Sequence, residues 1–163
     1  MANYRIWAPW RLEYVTDAAK DNEDECIFCA KPAADDDEAN LIVHRAERCF
    51  VILNLFPYTN GHLMVAPYEH VGALQDLDAE TVAELMSLAQ SAMRRLEQVY
   101  SPQGYNVGFN QGRIAGAGFE NHIHMHVVPR WGGDTNFMPV LADTRVMPQT
   151  PQQSYEALRG GFD

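Results

Sequence analysis

His122-Ile-His124-Met-His126-Val-Val-Pro129 is the stretch on which both fold and chemistry turn. On a β-strand successive side chains point to opposite faces. His122, His124 and His126 therefore share one face, and Ile123, Met125 and Val127 take the other, which suits a core. Three imidazoles on one face need a reason, because unpaired polar groups in a sheet are costly. With six histidines in 163 residues, chance produces this spacing in roughly one such chain in a hundred. A metal held by all three fits poorly, since same-face neighbours on one strand lie roughly 7 Å apart. Nucleophilic catalysis fits better. A neutral imidazole attacks phosphorus when one ring nitrogen is free and the other donates to a fixed acceptor. The product is a phosphoramidate, which water or a second nucleophile resolves. The flanking histidines can donate to phosphate oxygens or assist the leaving group.

Working outward, residues 105–110 read as a strand, and a glycine-rich loop, residues 112–118, links it to the histidine strand of residues 122–129. Residues 79–100 predict a long helix. Asp78 can cap it, Val82, Leu85, Met86, Ala89, Met93, Leu96 and Val99 recur near helical spacing, and Pro102 and Gly104 stop it. The apolar runs 49–55 and 62–66, joined by Phe56-Pro-Tyr-Thr-Asn-Gly61, predict a β-hairpin, and residues 41–44 a short strand. Residues 11–19, after Trp7-Ala-Pro-Trp10, read as a short helix. Residues 30–40 read as a polar loop, and the tail from Trp131 onward as irregular. Several strands with one long helix predict an α+β domain with an antiparallel sheet.

The net charge is −10. A long nucleic acid is therefore not expected as a partner, because its binding needs a basic surface. A small phosphorylated ligand is compatible, since a few converging backbone N–H groups and histidines suffice for phosphate. The acidic run Asp35-Asp36-Asp37-Glu38 reads as a solvated loop. No apolar run is long enough to span a bilayer, and Met1 to Trp10 lacks a signal-peptide core. A soluble, cytoplasmic protein without a membrane partner is the expectation. Three cysteines are too few for a disulfide framework. Cys26 and Cys29 form a C-x-x-C pair, which reads as metal or redox chemistry. Cys49, inside an apolar run, reads as a buried small hydrophobe.

The histidine stretch, continued by Arg130, resembles the His-φ-His-φ-His-φ-φ signature of the histidine-triad (HIT) superfamily, φ being apolar. Cys26-Ile-Phe-Cys29, the hairpin from Leu53 to Pro67, and Asn106 to Gly112 also lie where that family has matching segments. The resemblance covers about residues 26–130. The Trp7-Ala-Pro-Trp10 start and the stretch Pro129-Arg-Trp-Gly-Gly-Asp-Thr-Asn-Phe137 are similar to the bacterial branch containing diadenosine tetraphosphate phosphorylases, related to the fragile-histidine-triad hydrolases. The resemblance implies a single domain over residues 1–163, with its core in 26–130, an N-terminal extension in 1–25 and a tail in 131–163. It also implies a sheet of about five strands, paired side by side with a second copy in a homodimer.

By the same resemblance, His124 is the nucleophile that becomes adenylylated and His126 contacts phosphate oxygens. His62 joins the hydrogen-bond network behind them. Asn54 lies near the ribose, and Gln111, with Asn110 beside it, contacts phosphate. From the residues alone, Asn54 and Asn110 read equally well as turn caps, and His62 as a satisfied core histidine. Many relatives carry Gly-Gln-Ser/Thr or Gly-Ser before the triad. Here the segment is Ala115-Gly-Ala-Gly118-Phe119-Glu-Asn121, so backbone N–H groups near Gly118 are expected to take that role. Cys26, Cys29, His70 and His122 match the four positions that bind structural zinc in part of the family. A C-x-x-C pair with two distant histidines suits a closed tetrahedral site.

The expected function is nucleotide hydrolysis or nucleotidyl transfer on a dinucleoside polyphosphate, with diadenosine tetraphosphate first among candidates. The strands before the triad would form the apolar side of the base pocket. The rivals are a phosphoramidate or adenylyl-sulfate hydrolase, a nucleotide-binding interaction protein with vestigial activity, and a metallohydrolase using the triad as ligands.

Overall fold

The computed structural model of the chain describes residues 26–134, 137 and 147–162. Trp7-Ala-Pro-Trp10 and the helix expected over residues 11–19 lie outside them. Among the described residues five strands form one antiparallel sheet in the order β1-β2-β3-β5-β4. They are β1 (Ile42–Arg45), β2 (Cys49–Leu53), β3 (Leu63–Pro67), β4 (Gly104–Phe109) and β5 (Met125–Arg130). The expected α+β class and antiparallel sheet are what the chain forms.

β2 and β3 are buried along their whole length, because both faces of the sheet are covered. Odd-numbered residues Cys49, Val51, Leu53, Leu63 and Val65 face a core built with the long helix α3 (Ala79–Tyr100). Even-numbered residues Phe50, Ile52, Met64 and Ala66 meet Phe28 on the opposite face. Helix α3 starts where Asp78 accepts the Thr81 N–H at 2.7 Å. Leu85, Leu88, Ala89, Ala92 and Leu96 form its buried stripe. Each buried leucine contributes roughly 2 kcal/mol. Glu84, from the same helix, accepts the main-chain N–H groups of Arg48 and Cys49 at 2.8 Å each, which pins the start of β2. No described helix is long and apolar enough to cross a membrane.

Three expectations are corrected. Residues 30–40 are not a loop: α1 (Ile27–Ala33) and α2 (Asp37–Asn40) occupy much of residues 27–40. The Cys26 carbonyl accepts from Cys29 and Ala30, and the Asp36 carboxylate from Ala39, so each turn is closed locally. The tail is not wholly irregular. α4 (Pro151–Leu158) begins with a capping box between Thr150 and Gln153 and has proline in its first turn. It packs Tyr155 and Leu158 into the α3-side core. The last strand begins at Met125 rather than His122. The β3 partner ends at Pro67, and beyond it Ile123 N–H donates instead to the Val71 carbonyl at 2.7 Å.

Candidate active site

The 122–124 segment leaves the ladder yet keeps its alternation. Ile123 and Met125 enter the α3-side core. His122 and His124 face Phe28, and His126 pairs with Met64, whose side chain lies on the Phe28 side. The three imidazoles therefore share one face. His124 and His126 stand ring to ring at 5.0 Å, and Phe28 stacks on His124 at 4.6 Å.

Main-chain groups decide which nitrogen of each ring carries the proton. A carbonyl only accepts, so a ring nitrogen bonded to one must donate. Nδ1 of His124 lies 2.9 Å from the His122 carbonyl and donates to it, which leaves the Nε2 lone pair of the neutral ring free. Among the described residues no buried side-chain nitrogen or oxygen lacks a hydrogen-bond partner. The Nε2 atom, which makes no such bond there, therefore lies on the accessible side of a mostly buried ring. The Tyr58 N–H donates to Nδ1 of His62 at 3.1 Å, so His62 carries its proton on Nε2. That Nε2 lies 2.9 Å from Nδ1 of His126, which must accept. His126 then holds its proton on Nε2. The site presents a nucleophile and a proton donor side by side.

Burial keeps His124 and His126 neutral. Burial, then the neighbouring His124, pushes His126 down to about 4. Burial likewise lowers His124, partly offset by its bond to the His122 carbonyl.

A second cluster adjoins the first. Cys26, Cys29, His70 and His122 bring one ligand atom each to within 4.8 Å of one another and could hold a metal ion. Cys26 Sγ lies 3.3 Å and Cys29 Sγ 3.6 Å from Nδ1 of His122, and Cys29 Sγ lies 3.3 Å from Nδ1 of His70. His122 donates from Nε2 to the Pro67 carbonyl at 2.9 Å, so its Nδ1 lone pair faces the thiols. Burial, then the neighbouring Cys26, raises the Cys29 thiol. Two sulfurs and two imidazole nitrogens converging on one point are the donor set a borderline-soft cation such as zinc takes.

The other expected residues are distributed as follows. Asn54 serves its own turn, accepting Phe56 N–H at 2.9 Å, while its amide lies 3.4 Å from Nδ1 of His62. Gln111 accepts Leu74 N–H at 2.9 Å and donates to Gln75 at 3.1 Å, so its amide is engaged at the 74–76 turn. Asn110 is half-buried at the end of β4, and Gly118 is exposed in the loop before the triad. Two participants escaped sequence reasoning. Phe28 walls His124, and its place inside C-x-x-C was the available signal. Tyr58 contributes through its main chain, which no side-chain pattern reveals.

The HIT domain family matches residues 36–133. An AP-4-A phosphorylase of Mycobacterium tuberculosis is 42% identical over 150 residues, covering 89% of this chain and 77% of that protein. The adenosine 5'-monophosphoramidase hnt1 of Schizosaccharomyces pombe is 31% identical, covering 64% of this chain and 74% of that protein. A crystal structure of a Zn-bound histidine triad family protein from Mycobacterium smegmatis superposes with a TM-score of 0.68 at 32% identity, covering 85% of this chain and 93% of that one. The matched domain spans more than half of the sequence and contains every residue of the triad, and the chain belongs to the HIT family.

Proposed function

We propose that the chain transfers a nucleotidyl group from a dinucleoside polyphosphate, diadenosine tetraphosphate first among them, through a covalent nucleotidyl-His124 intermediate. The carrying observation is the 2.9 Å bond from His124 Nδ1 to the His122 carbonyl, which frees Nε2 as a nucleophile. The similarity to an AP-4-A phosphorylase supports the substrate class. The Nε2 lone pair attacks the α-phosphorus, and the bond from that phosphorus to the bridging oxygen breaks. His126 Nε2–H, held by His62, donates to the departing oxygen or to a non-bridging oxygen. Water then attacks the phosphoramidate and releases AMP, or inorganic phosphate attacks and releases ADP. Either step restores neutral His124. Asn54, Asn110 and the backbone around Gly118 line the substrate side in this reading. Gln111 would have to exchange its bonds at the 74–76 turn to reach phosphate.

Structural zinc belongs to the same proposal. Zinc–thiolate and zinc–imidazole bonds of about 2.3 and 2.0 Å set tetrahedral edges of roughly 3.3–3.8 Å. The thiol–imidazole separations of 3.3–3.6 Å fit this. When bound, the ion would supply cross-linking between α1, the segment after β3 and the triad strand. No step of the reaction passes through it. The free cysteines suit a reducing cytoplasm.

A homodimer completes the reading. β4 is an edge strand with one row of main-chain groups unpaired in the sheet. Val107 on it is 44% exposed, and a groove nearby is lined by Met93, Arg94, Glu97, Gln98 and Tyr105. A second copy pairing β4 to β4 would cover both, and Val107→Lys is expected to yield monomers in sedimentation.

The test is the product pattern from diadenosine tetraphosphate with and without phosphate. AMP together with ATP marks a hydrolase, and ADP together with ATP, appearing only with phosphate, marks a phosphorylase. His124→Ala is expected to lose at least about 10³-fold in kcat. Full activity in that variant, or nucleotide binding with no turnover by the wild type, overturns the proposal. Preferential turnover of a nucleoside phosphoramidate would replace the substrate.

A further inference from the structure

We infer that Gln149, in the C-terminal tail, is a positioning residue for the His62–His126 pair. It lies outside the matched HIT domain, residues 36–133. Its side-chain oxygen accepts from Tyr100 Oη at 2.6 Å, from Asn60 Nδ2 at 2.9 Å and from Ser154 Oγ at 3.4 Å. One oxygen thereby joins the end of α3, the β2–β3 turn and the first turn of α4. Ser154 Oγ also reaches Asn60 Oδ1 at 3.5 Å.

The clamped turn carries the machinery. Gly61 follows Asn60 and lies directly on the Tyr100 ring: a Cβ there would approach Cε2 to 2.9 Å. His62 is the next residue. Its Nδ1 accepts the Tyr58 N–H of the same turn, which sets the proton on Nε2 and so the tautomer of His126. A small cavity, large enough for about one water molecule, is lined by Asn54, Asn60, His62, Met147 and Gln149. Without the Gln149 acceptor, the Tyr58–His62 bond loosens. His126 then divides between two tautomers, and fewer molecules present Nε2–H to the substrate.

The kinetic part of this inference rests on the proposed His124 reaction; the tautomer part does not. Gln149 acts only as an acceptor in these contacts, so Gln149→Glu keeps the function and Gln149→Leu removes it. The experiment measures ring ¹⁵N shifts of His62 and His126 by NMR, together with kcat and KM for diadenosine tetraphosphate. In Gln149→Leu we expect the His126 ring nitrogens to move toward a mixed tautomer. Its kcat should fall about tenfold, a modest share of what acid–base groups contribute, with KM within twofold of wild type. Gln149→Glu should restore both. Should Gln149→Leu fail to fold, Tyr100→Phe, which removes one donor and keeps the ring, is expected to shift the same signals less. Unchanged ring shifts, an unchanged kcat, or equal loss in the leucine and glutamate variants would overturn the inference. If the wild type turns over no dinucleoside polyphosphate, the reaction fails while the ring shifts still decide whether Gln149 sets the His126 tautomer.

Discussion

His124 donates its Nδ1 proton to the main-chain oxygen of His122 at 2.9 Å, and His122 in turn faces its own Nδ1 to Cys26 at 3.3 Å. The candidate nucleophile and the thiol cluster therefore share one residue, His122, whose carbonyl serves one and whose ring serves the other. Phe28, between the two cysteines in sequence, stacks on the nucleophile. In Cys26→Ser/Cys29→Ser, zinc content is expected to fall from about one per chain to near zero, with a stability loss of about 2 kcal/mol or more. Metal analysis and thermal melts check this. Near-stoichiometric zinc in that variant would remove the cluster from the account.

His126 sets a pH dependence. Burial holds its pKa at about 4 in the folded chain, against about 6.5 when unfolded. Between those values the unfolded state binds the extra proton. This contribution to stability is complete above about pH 6.5 and is lost as pH falls toward 4. We expect of order 2 kcal/mol, allowing for partial exposure of the ring. Urea titrations at pH 7, 6 and 5 should show the midpoint falling more in the wild type than in His126→Asn. Parallel pH curves for the two would refute it.

Gly61 has φ +75 and no room for a methyl group over Tyr100 and Leu96. Gly61→Ala should cost about 2–4 kcal/mol, from left-handed backbone strain and overpacking together. Denaturant unfolding measures this, and a loss below 1 kcal/mol would mean that the turn yields without strain.

Glu84 holds two main-chain N–H groups at the start of β2. Glu84→Ala should destabilise the chain by about 1–3 kcal/mol, because both donors lose their partner. Hydrogen exchange at Arg48 and Cys49 should accelerate in step. Unchanged protection there would show that water or another acceptor replaces the carboxylate.

Local patterns carried far in the sequence. The alternation over residues 122–127 assigned faces that hold even where the strand ladder has ended, because an extended chain alternates whether or not it is paired. The stripe from Leu85 to Leu96 and the Asp78 cap marked α3. The capping box of Thr150 and Gln153 that starts α4 lies in a stretch whose composition reads as irregular. The helical turn at Cys26 to Ala30 was hidden for a different reason. It is short, and it packs Phe28 under the triad rather than showing an amphipathic period.

By itself the sequence determined which side chains could share a face, where the long helix runs and which residue types can attack phosphorus or hold a metal. Each of these depends on neighbours within a few positions. Only the tertiary structure decided which nitrogen of each imidazole carries the proton, that Gln111 is engaged at the 74–76 turn, and that the tail's Gln149 is bonded to Asn60 of the β2–β3 turn. Those outcomes depend on main-chain carbonyls and N–H groups brought together from distant parts of the chain, such as Pro67 with His122 and Asn60 with Gln149. No local periodicity encodes such pairings, because they exist only once the sheet has closed.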